Sequence, residues 1–261
     1  MKQDLSELLA LSKGYEKELP ALRLPEGHPG ASLSGNTLAR WIDHTLLKPE
    51  AAPEQVEELC DEARRFEFAT VCVNPIFVPL SRRLLEGSPV LVCTVVGFPL
   101  GATLTAAKVE ETRIAIAEGA QEIDMVIPVG MLKSGAYGMV EEDIRAVVEV
   151  SHKSGALVKV ILEMALLSQT EKIAGCLISQ KAGADFVKTS TGFGPGGATV
   201  EDVELMRRVV GPHMGVKAAG GVRTLADAAS MLNAGATRLG TSAGVKIMQE
   251  AAAAQRTVAE Q

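Results

Sequence analysis

Residues 182–199 read AGADFVKTSTGFGPGGAT. A helix-like stretch ends at Gly183, a short apolar run with β-branched residues follows at once, and a glycine-rich turn leads to the next helix-like stretch. Glycine is favoured just past a helix C-terminus because it accepts positive φ. Outward from this point the same junction recurs in EGSPVLVCTVV at Gly87, EGAQEIDMVI at Gly119 and SGALVKVIL at Gly155. VGPHMGVKAA at Gly211 and AGATRLGTS at Gly235 continue the series. Successive glycines are 32, 36, 28, 28 and 24 residues apart, the length of one βα unit.

The runs predict strands at 40–46, 68–73, 90–96, 121–127, 156–163, 185–190, 214–219 and 237–241. The stretches between them follow the helical period, as in Val56, Leu59, Cys60 and Ala63. Short apolar strands alternating with helices imply a parallel sheet covered on both faces. A doubly wound open sheet uses the same alternation, but eight near-equal units favour closure into an α/β (β/α)8 TIM barrel. The barrel is expected over residues 37–253, with an extension at 1–36 and a tail at 254–261. Within the extension, Asp4 to Leu19 predicts a short amphipathic helix, and PALRLPEGHPGASLSG (residues 20–35) reads as a linker.

Composition narrows the function. The chain has 261 residues, 47% hydrophobic and 22% charged, which suits a globular protein that needs no staple. With 26 Lys+Arg against 32 Asp+Glu the net charge is −6, and only 3% of residues are aromatic, so a nucleic-acid surface is not expected. Cys60, Cys72, Cys93 and Cys176 are scattered without a CxxC pair, and read as reduced thiols of a cytoplasmic protein. No apolar run is long enough to span a membrane. Of the four histidines only His44 falls on a strand, so no metal and no cofactor is expected.

Four charges stand where a barrel strand should be apolar: Asp124, Lys159, Lys188 and Lys217, on strands four to seven. A single strand lysine is explained by snorkelling or by one acid partner. Three on consecutive strands, with one aspartate, are not, because burying an unpaired charge costs several kcal/mol or more. Crowded ammonium groups repel, which favours a free amine, and a free amine attacks carbonyls. The pattern predicts Schiff-base chemistry.

Three Gly/Ser-rich turns follow the last strands: STGFGPGGAT (190–199), AAGGVRT (218–224) and GTSAGV (240–245). Backbone N–H groups in such turns make anion sites, and the loops after strands seven and eight of these barrels often hold phosphate. Arg223 adds charge there and Ser242 a hydroxyl. Gly192, Gly194 and Gly197 also form GxGxxG, but Pro195 interrupts it and no acid ends the next strand, so the match is accidental. Asp43, His44 and Thr45 close strand one at the mouth or form a satisfied polar cluster. Cys72 reads as core more than as a nucleophile, and Glu163 as a partner for a lysine.

DFVKTSTGFGPGGAT, GVKAAGGVRT, EIDMVI and IDHTLLKP together resemble the deoxyribose-phosphate aldolase family, over about residues 40–250. The resemblance implies cleavage of 2-deoxy-D-ribose 5-phosphate to D-glyceraldehyde 3-phosphate and acetaldehyde through a lysine imine. It implies Lys188 as the Schiff-base lysine, Lys217 as the group that depresses its neighbour's basicity, and Asp124 as proton donor and acceptor. Lys159, Asp43, Thr45, Cys72 and Thr191 are then candidates for the substrate. Backbone groups of Gly192, Gly220, Gly221 and Gly240, with Arg223 and Ser242, are candidates for its phosphate. The chain departs from the family pattern in having Ala243 after Ser242, and in a tail without tyrosine. A homo-oligomer, dimer or tetramer, is a possible assembly. A metal-free phosphosugar isomerase or synthase, or a non-catalytic sugar-phosphate-binding barrel, stand as alternatives.

Overall fold

A computed structural model describes residues 2–28 and 35–259. Eight parallel strands close into a barrel in chain order. They are β1 (Ile42–Leu46), β2 (Thr70–Val73), β3 (Leu91–Val96), β4 (Glu122–Val126), β5 (Leu157–Ile161), β6 (Phe186–Lys188), β7 (Gly215–Ala219) and β8 (Arg238–Thr241). Two helices precede the barrel, α1 (Lys2–Lys17) and α2 (Gly35–Ala39). Its outer ring comprises α3 (Pro53–Phe66), α4 (Val78–Leu84), α5 (Thr105–Ala117), α6 (Val129–Lys133) and α7 (Tyr137–Lys153). The ring continues through α8 (Gln169–Lys181), α9 (Val200–Val210), α10 (Leu225–Asn233) and α11 (Gly244–Ala259).

The punctuation read from the sequence has a conformational cause. All six glycines of the repeat adopt positive φ, between 69° and 114°. Where the repeat lacks a glycine, after α3, Glu67 takes the same left-handed conformation at φ 54°. Every strand opens one or two residues later than its apolar run.

Alternation within the strands sorts two interiors. Val158, Val160, Val187, Val216 and Leu239 face outward into the layer between barrel and helices, where each is fully buried. Their neighbours one residue away turn into the barrel, and several of those are charged. On β2 and β3, Cys72, Cys93 and Val95 pack together with Leu47.

The segment before the barrel is fastened to its outside. Helix α1 lies against α8, where Thr170 donates to the Glu16 carboxylate. Arg208 of α9 donates from Nε to the Pro20 carbonyl at 2.7 Å, and His28 Nε2 lies 2.8 Å from the Ala236 carbonyl. Residues 20–28, read as linker, are thus held at both ends, by the Pro20 carbonyl and by the His28 side chain. The rest of the predicted linker, 29–34, and the tail residues 260 and 261 lie outside the described residues. Residues 254–259 continue α11. No helix among the described residues is long and apolar enough to cross a membrane.

Candidate active site

Register brings the strand charges together. Asp124 stands opposite Lys159 across β4 and β5, and Lys188 opposite Lys217 across β6 and β7. Asp124 is the hub. Its Oδ1 accepts from Lys159 Nζ at 2.8 Å; its Oδ2 accepts from Lys188 at 2.8 Å and from Lys217 at 2.7 Å. Below it, Asp43 of β1 pairs with Lys217 and takes a 2.6 Å bond from Arg238 of β8. Glu122 of β4 pairs with Lys159 at 2.5 Å and with Arg238 at 3.0 Å.

Such burial favours the uncharged forms, but the pairing outweighs it. For Asp124, desolvation raises the pKa, while Lys159, Lys188 and Lys217 together hold the carboxyl well below the usual range. Asp43 is likewise held down by Arg238 and Lys217 against its burial. Burial acts to lower Lys159 and Lys217, yet the carboxylates around them, Asp124 foremost, keep both above the ordinary lysine range.

A pocket of about 380 Å3 opens above this charged interior at the C-terminal ends of the strands. Of the three barrel lysines Lys188 alone lines it; Lys159 and Lys217 have no exposed surface. Glycine turns make the opposite wall. Gly220 and Gly221 carry φ of 85° and 86°, which directs their backbone towards the cavity in a way an L side chain resists. The neighbouring loop packs directly on them: a Cβ at Gly197 would come within 2.4 Å of the Gly220 carbonyl oxygen. Ser242, just ahead of α11, and the exposed Arg223 complete this wall. Backbone donors, a helix N-terminus and one guanidinium suit an anion such as a phosphate.

Residues 37–250 match the DeoC/LacD family aldolase. The chain belongs to this family. Among its relatives, a Streptococcus gordonii protein named deoxyribose-phosphate aldolase is 60% identical over 212 residues, 81% of this chain and 96% of the relative. One of the same name from Lysinibacillus sphaericus is 60% identical over 210 residues, 80% of this chain and 94% of its own. The structure of a tetrameric deoxyribose phosphate aldolase from Aeropyrum pernix superposes with a TM-score of 0.78 at 36% identity. That match covers 83% of this chain and 91% of the other.

In this aldolase the residues singled out from the sequence separate into two groups. Thr45, Lys188, Thr191, Gly192 and Gly240 line the pocket, with the phosphate-side residues already named. Asp124, Lys159 and Lys217 lie beneath it. Three of the substrate candidates lie away from the pocket. Asp43 does not reach the mouth; its side chain points into the barrel, while His44 turns outward to Glu62 of α3 at 2.6 Å. Cys72 is fully buried beside Cys93, its register neighbour, and does not line the pocket. Lys159 likewise does not line the pocket; it meets buried partners and holds the Asp124 carboxylate.

Among the described residues Glu163 takes no lysine. Its carboxylate accepts from the Thr191 hydroxyl and, at 3.3 Å, from the Thr191 N–H, which ties the end of β5 to the loop after β6. Sequence reasoning also leaves out Glu122 and Arg238, and Lys48, which lines the pocket just after β1. Cys72, Cys93 and Asp124 bring donor atoms within 4.8 Å of one another, near enough to share a cation. The Lys159 ammonium already stands there, 3.3 Å from the Cys93 sulfur and 2.8 Å from Asp124.

Proposed function

We propose that this barrel is a deoxyribose-phosphate aldolase. It cleaves 2-deoxy-D-ribose 5-phosphate reversibly to D-glyceraldehyde 3-phosphate and acetaldehyde through an imine on Lys188. One observation carries the reading. The pocket lining holds Lys48, Lys188 and Arg223 but, among the described residues, no carboxylate. An isomerase or synthase that moves protons with paired carboxylates would need them facing the substrate. Here the acids lie below Lys188, and its amine meets the substrate first.

The steps follow from that placement. The free amine of Lys188 attacks C1 of the open-chain aldehyde, and loss of water leaves a protonated imine. A base takes the proton of the C3 hydroxyl, the C2–C3 bond breaks, and its electron pair moves towards the imine to give an enamine. Glyceraldehyde 3-phosphate leaves as that bond opens. Protonation of the enamine at C2 and hydrolysis of the resulting imine release acetaldehyde and restore the amine. Asp124, a resting carboxylate, enters as proton acceptor and returns the proton later, through a water. Lys217 keeps a positive charge beside Lys188 throughout. The turns at Gly192, Gly220 and Gly221, with Arg223 and Ser242, hold the phosphate.

The domain reading follows: residues 37–253 are the catalytic unit, 1–36 an extension to it and 254–261 a tail. We place the enzyme in the cytoplasm, as a homo-oligomer. Turnover is the test. Purified protein should release acetaldehyde from deoxyribose 5-phosphate, and Lys188→Ala should not; release of an isomerised sugar phosphate instead would favour the rival.

A further inference from the structure

Glu122 and Arg238 have no part in the steps above, yet both are built into the charged interior. They are the first residues of β4 and β8, at the end of the barrel away from the pocket. From Arg238, two lines of alternating charge run up to Lys188. One passes through Asp43, Lys217 and Asp124. The other passes through Glu122, Lys159 and Asp124. Each line begins and ends on a cation. The cage therefore holds four cations and three carboxylates.

We infer that Arg238 and Glu122 are positioning residues that set, by charge count, the pH at which Lys188 begins to react. The inference rests on the proposed role of Lys188. Side chains that exclude water leave an unbalanced charge poorly screened, so one excess positive charge is costly and release of one proton makes the cage neutral. Geometry says where the proton leaves. Arg238 is held between Asp43 and Glu122, Lys217 between Asp43 and Asp124, and Lys159 between Glu122 and Asp124. Among the described residues Lys188 has one carboxylate partner, Asp124, and it alone of the four opens on the pocket.

Among the described residues the remaining strands add no further carboxylate or cation to the cage. Titratable groups facing it from β2 and β3 are the thiols of Cys72 and Cys93, and they are identical in every variant compared below. Arg238 keeps its own proton: burial opposes its charge, but Asp43 and Glu122 hold it above the ordinary arginine range.

The experiment is the pH dependence of kcat/KM for deoxyribose 5-phosphate in the parent, Arg238→Met, Glu122→Gln and the double variant. Borohydride trapping is run alongside. Removing the cation balances the cage with Lys188 still protonated, so the acid limb of Arg238→Met should move up by about one pH unit. Removing the anion adds to the positive excess, so the limb of Glu122→Gln should move down by about as much. The double variant should return close to the parent. Should Arg238→Met fail to fold, Glu122→Gln and the charge-keeping Arg238→Lys carry the test, the latter with an unmoved limb. Single variants that shift the same way, or a Glu122→Gln limb that stays put, overturn the inference while trapping at Lys188 leaves the reading of the site intact. A parent enzyme that traps no substrate on Lys188 defeats that reading, and the inference with it.

Discussion

Lys188 and Lys217 donate to the same atom, Oδ2 of Asp124, at 2.8 and 2.7 Å. Their nitrogens can be no further apart than those two bonds laid end to end. Two ammonium groups that share one carboxylate oxygen repel. Lys217→Leu removes the fixed charge. Its kcat should fall about 100-fold or more, and the acid limb of its pH–rate profile should move to higher pH. A lower rate with an unmoved profile would mean that Lys217 serves packing alone.

Arg223 reaches the glycine wall as an exposed side chain, while its own N–H is spent on Asp227 at 3.0 Å. Its guanidinium lines the pocket and is the candidate for the phosphate. Arg223→Ala should raise KM for deoxyribose 5-phosphate about tenfold and leave turnover of unphosphorylated deoxyribose nearly unchanged. Equal losses on both substrates would contradict a phosphate contact.

Glu163 clamps the loop that carries Gly192, through its contact with Thr191. A Cβ at Gly194 would also come within 2.9 Å of that carboxylate, so loop and acid fit closely. Glu163→Ala should loosen the loop and raise KM several-fold, about 1 kcal/mol of binding, with kcat less affected. Steady-state kinetics would show this, and an unchanged KM would deny the clamp.

Asp43 links stability to pH. A carboxyl whose folded value is depressed contributes stability above its unfolded value, near pH 4, and loses that contribution as pH falls through the folded value. Asp43 is depressed by Arg238 and Lys217, against its own burial. Asp43→Asn should thus cost about 3–5 kcal/mol above pH 5. The gap in Tm between variant and parent should narrow below about pH 4. A gap that stays constant with pH would show that lost packing, not charge, destabilises the variant.

Much of this was legible in the chain itself, for physical reasons that differ from place to place. Gly183 and its five counterparts mark positive φ, which few other residues accept, so the repeat shows in the letters. Lys159, Lys188 and Lys217 break apolar runs, and a charge in a buried strand is costly enough to be noticed. Glu122 was equally readable: it stands two residues before Asp124 and so on the same face of β4. At the first position of a strand, however, a charge looks like a surface residue, and Arg238 is hidden in the same way. The inward turn of Asp43 depends on the register of β1 against β8, which one strand's sequence does not encode. The meeting of Cys72 with Cys93 depends likewise on two strands.

The account stands on covalent chemistry at one nitrogen. Incubating the protein with deoxyribose 5-phosphate and sodium borohydride, then mapping peptides by mass spectrometry, tests this directly. Reduction should leave a stable adduct on the peptide containing Lys188, and Lys188→Ala should carry none while remaining folded. An adduct on Lys48 or Lys217 in the parent, or full turnover with no adduct anywhere, would contradict it.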